Sequence, residues 1–132
     1  MSRLVAVVLL AAAALLVLAP KVFARGAGSP ACTIRGTPGA DVLVGTDRRD
    51  VICGLGGNDL IAGRGGNDVL VGGPGNDKLQ GDSGRDTLLG GPGNDTLIAW
   101  DGERDLIDGG PGRDRASVDS TLDRVRGVES RL

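Results

Sequence analysis

Carboxylates recur along this chain every nine residues. Asp41, Asp50, Asp59, Asp68, Asp77, Asp86 and Asp95 form an unbroken column, and Asp105, Asp114 and Asp123 resume it after one extra residue near Ala99. Rows of carboxylates can ligate a hard cation, work as acid–base pairs or cap tight turns. Turn capping explains one unit but not ten in register. Acid–base catalysis has no support of its own, because the repeat already accounts for the paired acids. The chain has no His, which removes His-dependent triads and the HExxH zinc motif. Ser29, Ser83, Ser117, Ser120 and Ser130 lack a G-x-S-x-G context. With no His and two Cys, zinc and copper sites are poorly served. No catalytic residue is assigned, and the chemistry indicated is oxygen ligation of a metal.

The elements that hold these acids follow from two further columns. Two places after each Asp stands Leu43, Ile52, Ile61, Leu70, Leu79, Leu88, Leu97, Ile107, Ala116 or Val125. Five residues before each of the first seven stands Gly36, Gly45, Gly54, Gly63, Gly72, Gly81 or Gly90. Each unit therefore reads as a glycine-rich loop over positions one to six, then a short strand over seven to nine. Alternation turns only the eighth side chain inward. Glycine at positions one, two and four permits positive φ and close backbone approach, and Asn58, Asn67, Asn76 and Asn94 at position five suit turns. A chain with 24 Gly, one Phe, one Trp and no Tyr is no ordinary packed globule.

GGPGNDKLQ (Gly72 to Gln80) and GGPGNDTLI (Gly90 to Ile98) fit Gly-Gly-x-Gly-x-Asp-x-aliphatic-x at every defined position, and GLGGNDLIA, GRGGNDVLV and GDSGRDTLL miss only the second Gly. The array over residues 36–126 resembles the hemolysin-type (RTX) calcium-binding nonapeptide repeat. The resemblance implies an all-β fold: a right-handed parallel β-roll (solenoid) of about five turns with two short parallel sheets, two units to a turn. Stacked strands then lie about 4.8 Å apart, and five turns span about 24 Å. Leu43, Ile61, Leu79, Leu97 and Ala116 should face Ile52, Leu70, Leu88, Ile107 and Val125 across a core one side chain thick.

The same stacking brings carboxylates of alternate units together in two repelling rows. Ca2+ takes about six to eight oxygens from carboxylates and carbonyls, whereas Mg2+ keeps its waters. Several Ca2+ ions are therefore expected. Their ligands would be Asp41, Asp59, Asp77, Asp95 and Asp114 on the odd edge, and Asp68 and Asp86 on the even edge. Carbonyls left unshielded at Gly57, Gly73, Gly75, Gly91 and Gly93 would complete the sites. Arg48, Glu103 and Thr121 displace the position-four glycine on the even edge, so that edge should bind calcium only near its middle, with little from Asp105. Trp100 is read as replacing a leading glycine.

Residues 1–24 read as a signal peptide: Arg3 precedes the apolar run Leu4 to Leu18, and Val22-Phe23-Ala24 offers a cleavage site. The run is short for a membrane span, so none is expected after cleavage, and a secreted, extracellular location follows. Residues 25–35 are assigned to an N-terminal cap segment, 36–126 to the roll and 127–132 to a C-terminal cap or tail. An exported chain permits a disulfide between Cys32 and Cys53, with two free thiols as the alternative. In strict register the two are offset by three residues, so a bridge should require residues 31–35 to leave the register. The net charge of −2 and the absence of an aromatic-studded basic patch give nucleic-acid binding no support. Outward Val42, Val44, Val51, Cys53, Leu60, Ala62, Val69 and Val71 form an apolar face or reflect β-propensity alone. Such a face could serve self-association or a protein partner. The functional expectation is an exported β-roll folded by Ca2+, with an adhesion or toxin-accessory module as the alternative.

Overall fold

The computed structural model describes residues 31–119 and 121–132. The expected signal peptide lies outside the described residues. Twelve short strands follow in chain order: β1 (Ile34–Arg35), β2 (Val42–Val44), β3 (Val51–Cys53), β4 (Leu60–Ala62), β5 (Val69–Val71), β6 (Lys78–Gln80), β7 (Thr87–Leu89), β8 (Thr96–Ala99), β9 (Leu106–Asp108), β10 (Arg115–Val118), β11 (Arg124–Arg126) and β12 (Ser130–Arg131). No helix occurs among the described residues. Odd strands stack as one parallel sheet and even strands as another, each in sequence order, as a solenoid of about five turns requires.

The pairing register carries out what the aliphatic column dictates. Leu43, Ile61, Leu79, Leu97 and Ala116 are successive partners in one sheet. Ile52, Leu70, Leu88, Ile107 and Val125 are successive partners in the other. Ile52, Ile61, Leu70, Leu79, Leu88, Leu97 and Ile107 are fully buried, with Ile34, Leu43, Val118, Val125 and Val128 packed against them. The core is thus one aliphatic side chain deep on each sheet. Such a core is thin against the backbone entropy lost by glycine-rich loops.

Four details depart from the expectations. First, Cys32 and Cys53 lie at disulfide distance, with Cα atoms 5.9 Å apart, yet residues 31–35 do not all leave the register. Ile34 pairs with Ile52 and Arg35 with Cys53. Only a bend at Thr33 breaks the ladder, and it turns Cys32 back over the strand. Second, the extra residue is accommodated at Trp100. Ala99 stays in β8 opposite Val118 and is buried, whereas Trp100 is 75% exposed. Ala99 therefore takes the leading position, where a methyl fits and an indole does not. Third, Val51 and Cys53 are buried, and of the expected outer apolar face only Val42, Val44 and Leu60 are exposed. Fourth, pairing extends past residues 36–126 at both ends. β1 joins the odd sheet, and β12 joins the even sheet after a shortened last turn that matches Arg115 with Ser130.

Candidate metal centre

Each loop delivers its Asp to the edge of the roll immediately before a strand begins. Oδ1 of every such Asp from the third unit onward accepts the backbone N–H of the Asp one turn earlier. On the odd edge Asp59, Asp77, Asp95 and Asp114 accept from Asp41, Asp59, Asp77 and Asp95 at 2.7–2.9 Å. On the even edge Asp68, Asp86, Asp105 and Asp123 accept from Asp50, Asp68, Asp86 and Asp105 at 2.7–2.9 Å. Glu129 closes the odd row by accepting the Asp114 N–H at 2.6 Å. One oxygen of each acid is therefore spent on stacking.

The other oxygen has no such use. Oδ2 of Asp59, Asp68, Asp77, Asp86, Asp95, Asp105 and Asp114 is buried and has no hydrogen-bond partner. A buried, unpaired carboxylate oxygen is among the costliest groups a fold can carry. The position-one glycine shows where it points. A Cβ on Gly63 would meet Asp68 Oδ2 at 2.6 Å and the Gly81 carbonyl oxygen of the next turn at 2.7 Å. A Cβ on Gly72 would meet the Gly90 carbonyl oxygen at 2.6 Å and clash with Asp77 Oδ2. The space left by the missing side chain is lined by oxygen.

The direction of the position-two amide decides whether Oδ2 is left free. At Asp101, which has no positive φ, it donates to Asp119 Oδ2 of the next turn at 3.1 Å and leaves Asp105 Oδ2 without a partner. Leu55, Arg64, Gly73, Asp82, Gly91 and Gly110 all have positive φ, which costs a residue with a side chain about 1 kcal/mol or more. The amides of Gly73 and Gly91 then donate to the Gly90 and Gly109 carbonyls of the next turn, at 2.9 and 3.0 Å. The Arg64 amide reaches Asp82 Oδ2 at 3.2 Å. None of these turns inward to its own Asp. In the first two units position two is Thr37 or Thr46, neither with positive φ. There the amide donates to Asp41 Oδ2 at 2.6 Å or Asp50 Oδ2 at 2.7 Å.

The five glycines expected to supply carbonyls line the same edges. The carbonyl oxygens of Gly57, Gly73, Gly75, Gly91 and Gly93 abut the Cβ positions of Gly75, Gly91, Gly93, Gly110 and Gly112 on the next turn. No backbone N–H among the described residues donates to these five carbonyls. A second ladder runs beside them, unanticipated from sequence. Asn58, Asn76 and Asn94 accept the position-five amides of Asn76, Asn94 and Arg113 at 2.8–2.9 Å. Asn67 does the same for Arg85 on the even edge at 3.0 Å. The asparagines are thus cross-turn fasteners as well as turn formers.

Electrostatics follow the geometry. Burial pushes the Asp86 carboxyl up to about 7, with Asp68, Asp105 and Asp101 adding repulsion. Burial likewise raises Asp95 and Asp105 to about 6, and it raises Asp68, Asp77 and Asp114 above the ordinary range. Asp50 moves the other way, lowered by the Thr46 amide and then by its hydroxyl. Asp105, expected to contribute little, carries the same unpaired oxygen as Asp68 and Asp86.

Among the described residues no three or more acidic side chains converge as a side-chain-only metal site requires. The donor set is instead carboxylate plus main-chain carbonyl, all oxygen. This set fits a hard divalent cation with many ligands and little geometric demand, which is calcium.

Comparison with known families agrees with this chemistry. The model of the RTX calcium-binding nonapeptide repeat (4 copies) matches residues 35–70, 62–97 and 71–104. No curated protein and no solved structure matches the chain.

Proposed function

The chain belongs to the RTX calcium-binding nonapeptide repeat family, and from that membership we propose that it is an exported calcium-binding β-roll whose folding is driven by Ca2+. The observation that carries this reading is the set of seven buried carboxylate oxygens without a partner. Asp59, Asp77, Asp95 and Asp114 would hold the cation on one edge, and Asp68, Asp86 and Asp105 on the other, with carbonyls such as those of Gly57, Gly73, Gly75, Gly91 and Gly93. Bound calcium supplies positive charge to both carboxylate rows. The protein's part is to hold the oxygens in place around the cation, through the Oδ1 and asparagine ladders. Because the core is thin, the roll without its cations carries repulsion that the aliphatic ladders offset poorly. The carboxylates are committed to stacking and ligation, and the proposal includes no catalytic step. A scaffold is favoured over an adhesion module because the outer apolar face shrinks to Val42, Val44 and Leu60.

The test is a calcium titration of the chain recovered from its native host's medium, followed by circular dichroism. We expect little β signal in excess chelator and a cooperative gain on adding calcium, with a midpoint of about 10⁻⁴ to 10⁻³ M as for extracellular modules. Full β signal in chelator, unchanged by calcium, refutes calcium-driven folding. Intact mass of the same preparation, with and without reductant, checks cleavage near Ala24 and the Cys32–Cys53 disulfide. An uncleaved chain or two free thiols would refute those two points.

A further inference from the structure

The first turn is built differently from those that follow. In the loop of Asp41 the Thr37 hydroxyl lies 3.0 Å from Asp41 Oδ2 and accepts the Gly39 amide at 3.2 Å, while the Thr37 amide donates to the same Oδ2. In the loop of Asp50 the arrangement repeats: Thr46 hydroxyl to Asp50 Oδ2 at 2.8 Å, Arg48 amide to that hydroxyl at 3.2 Å, and the Thr46 amide to Oδ2. One hydroxyl in each loop thus joins the carboxylate to the position-four amide. In later turns the corresponding Oδ2 has no partner, beginning with Asp59 on the odd edge and Asp68 on the even edge. The first turn is also fastened by side chains. The Thr33 hydroxyl contacts Asp50 Oδ1 and accepts the Val51 amide at 2.9 Å, and Cys32 lies at disulfide distance from Cys53. The far end of the even row shows a related closure, where the Asp119 amide donates to Asp123 Oδ2 at 2.7 Å.

We propose that Thr37 and Thr46 close the first turn in place of a metal ion, so that calcium occupies the edges only from Asp59 and Asp68 onward. The first turn is then a metal-free cap, and position two determines which loops take the cation. This inference rests on the calcium reading above and removes Asp41 from the ligands expected from sequence. A threonine hydroxyl satisfies the carboxylate locally. A position-two amide that turns away from its own Asp, as those of Gly73, Gly91, Arg64 and Asp101 do, leaves the carboxylate to a cation.

Full-length exported chain with oxidised cysteines serves for the test, with calcium chloride as probe. The readouts are calcium equivalents by equilibrium dialysis and the circular dichroism midpoint. Asp59→Asn is expected to raise the midpoint several-fold, whereas Asp41→Asn should leave it within about twofold of the parent, since an unoccupied ligand adds no linkage. Equal shifts for the two overturn the proposal. No shift from Asp59→Asn overturns the calcium reading itself, which separates the two failures. Thr37→Gly makes the first loop read GGPGAD. It should release Asp41 Oδ2 and add bound calcium, and unchanged stoichiometry in that variant overturns the proposal even if Asp41→Asn proves unstable.

Discussion

At the scale of single residues, one carboxylate does two jobs with its two oxygens. Oδ1 of Asp86 accepts the Asp68 amide, and Oδ2 is buried without a partner. In the absence of metal such a group prefers to be protonated. The Asp86 carboxyl sits at about 7 in the folded chain against an ordinary value of 3.8, and Asp95 and Asp105 sit at about 6. The folded state therefore holds more protons than the unfolded state between these limits, so its stability rises as pH falls. Asp50 has the opposite sign, and its contribution is lost as pH falls below 3.8. In chelator the β signal should be stronger near about pH 4.5 than near about pH 8. With calcium present, protons compete for the same oxygens and the calcium midpoint should rise on acidification. A pH series in chelator and in calcium checks both signs, and stronger β signal at high pH in chelator refutes the first. The Asp column itself was plain in the sequence. Its division into capped and unpaired members was not, because Asp41 and Asp59 look alike there. The difference resides in the backbone of the residue four places earlier, and nothing in the identities of Leu55 or Arg64 announces positive φ.

At the scale of the element, the loop-and-strand unit is defined by what its leading glycine lacks. Gly72 has no positive φ, so its requirement is steric. An alanine there would meet the Gly90 carbonyl oxygen at 2.6 Å as well as the Asp77 carboxylate. Gly56, by contrast, faces the Pro38 carbonyl at 3.4 Å, an ordinary contact. Gly72→Ala should cost about 2 kcal/mol or more, while Gly56→Ala should stay within about 0.5 kcal/mol of the parent. Thermal unfolding in saturating calcium compares the two, and equal melting temperatures would show that the close approach is not real. Strand positions, inward residues and stacking register were legible, because a nine-residue period leaves one inward side chain per strand. The asparagine ladder was not legible, since Asn is expected in turns whether or not its side chain reaches the next one. The bend at Thr33 and the choice of Ala99 over Trp100 were hidden as well. Both depend on fitting a local chain path to a ladder fixed elsewhere.

At the scale of the whole molecule, the two edges have separate characters that run the length of the roll. The odd edge carries the ladder of Asn58, Asn76 and Asn94, while at position five the even edge has Arg49, Asn67, Arg85 and Arg104. Each strand finds its partner one full turn away, 18 residues in most of the roll. The coil therefore counts in pairs of units, and the chain has a parity. Excising residues 72–89 removes one turn and leaves every later loop on its own edge. Excising residues 72–80 removes half a turn and transfers every later loop to the opposite edge. The loop of Asn94 would then stack on that of Asn67, and that of Arg85 on that of Asn58. The even-numbered deletion should keep a cooperative calcium transition, and the smaller, odd one should lose or broaden it. Circular dichroism titration of the two deletions decides the matter, and an odd deletion that behaves as well as the even one refutes the parity. A lineage of such chains would accordingly lengthen and shorten by duplets, so that evolution of this protein proceeds in steps of a whole winding.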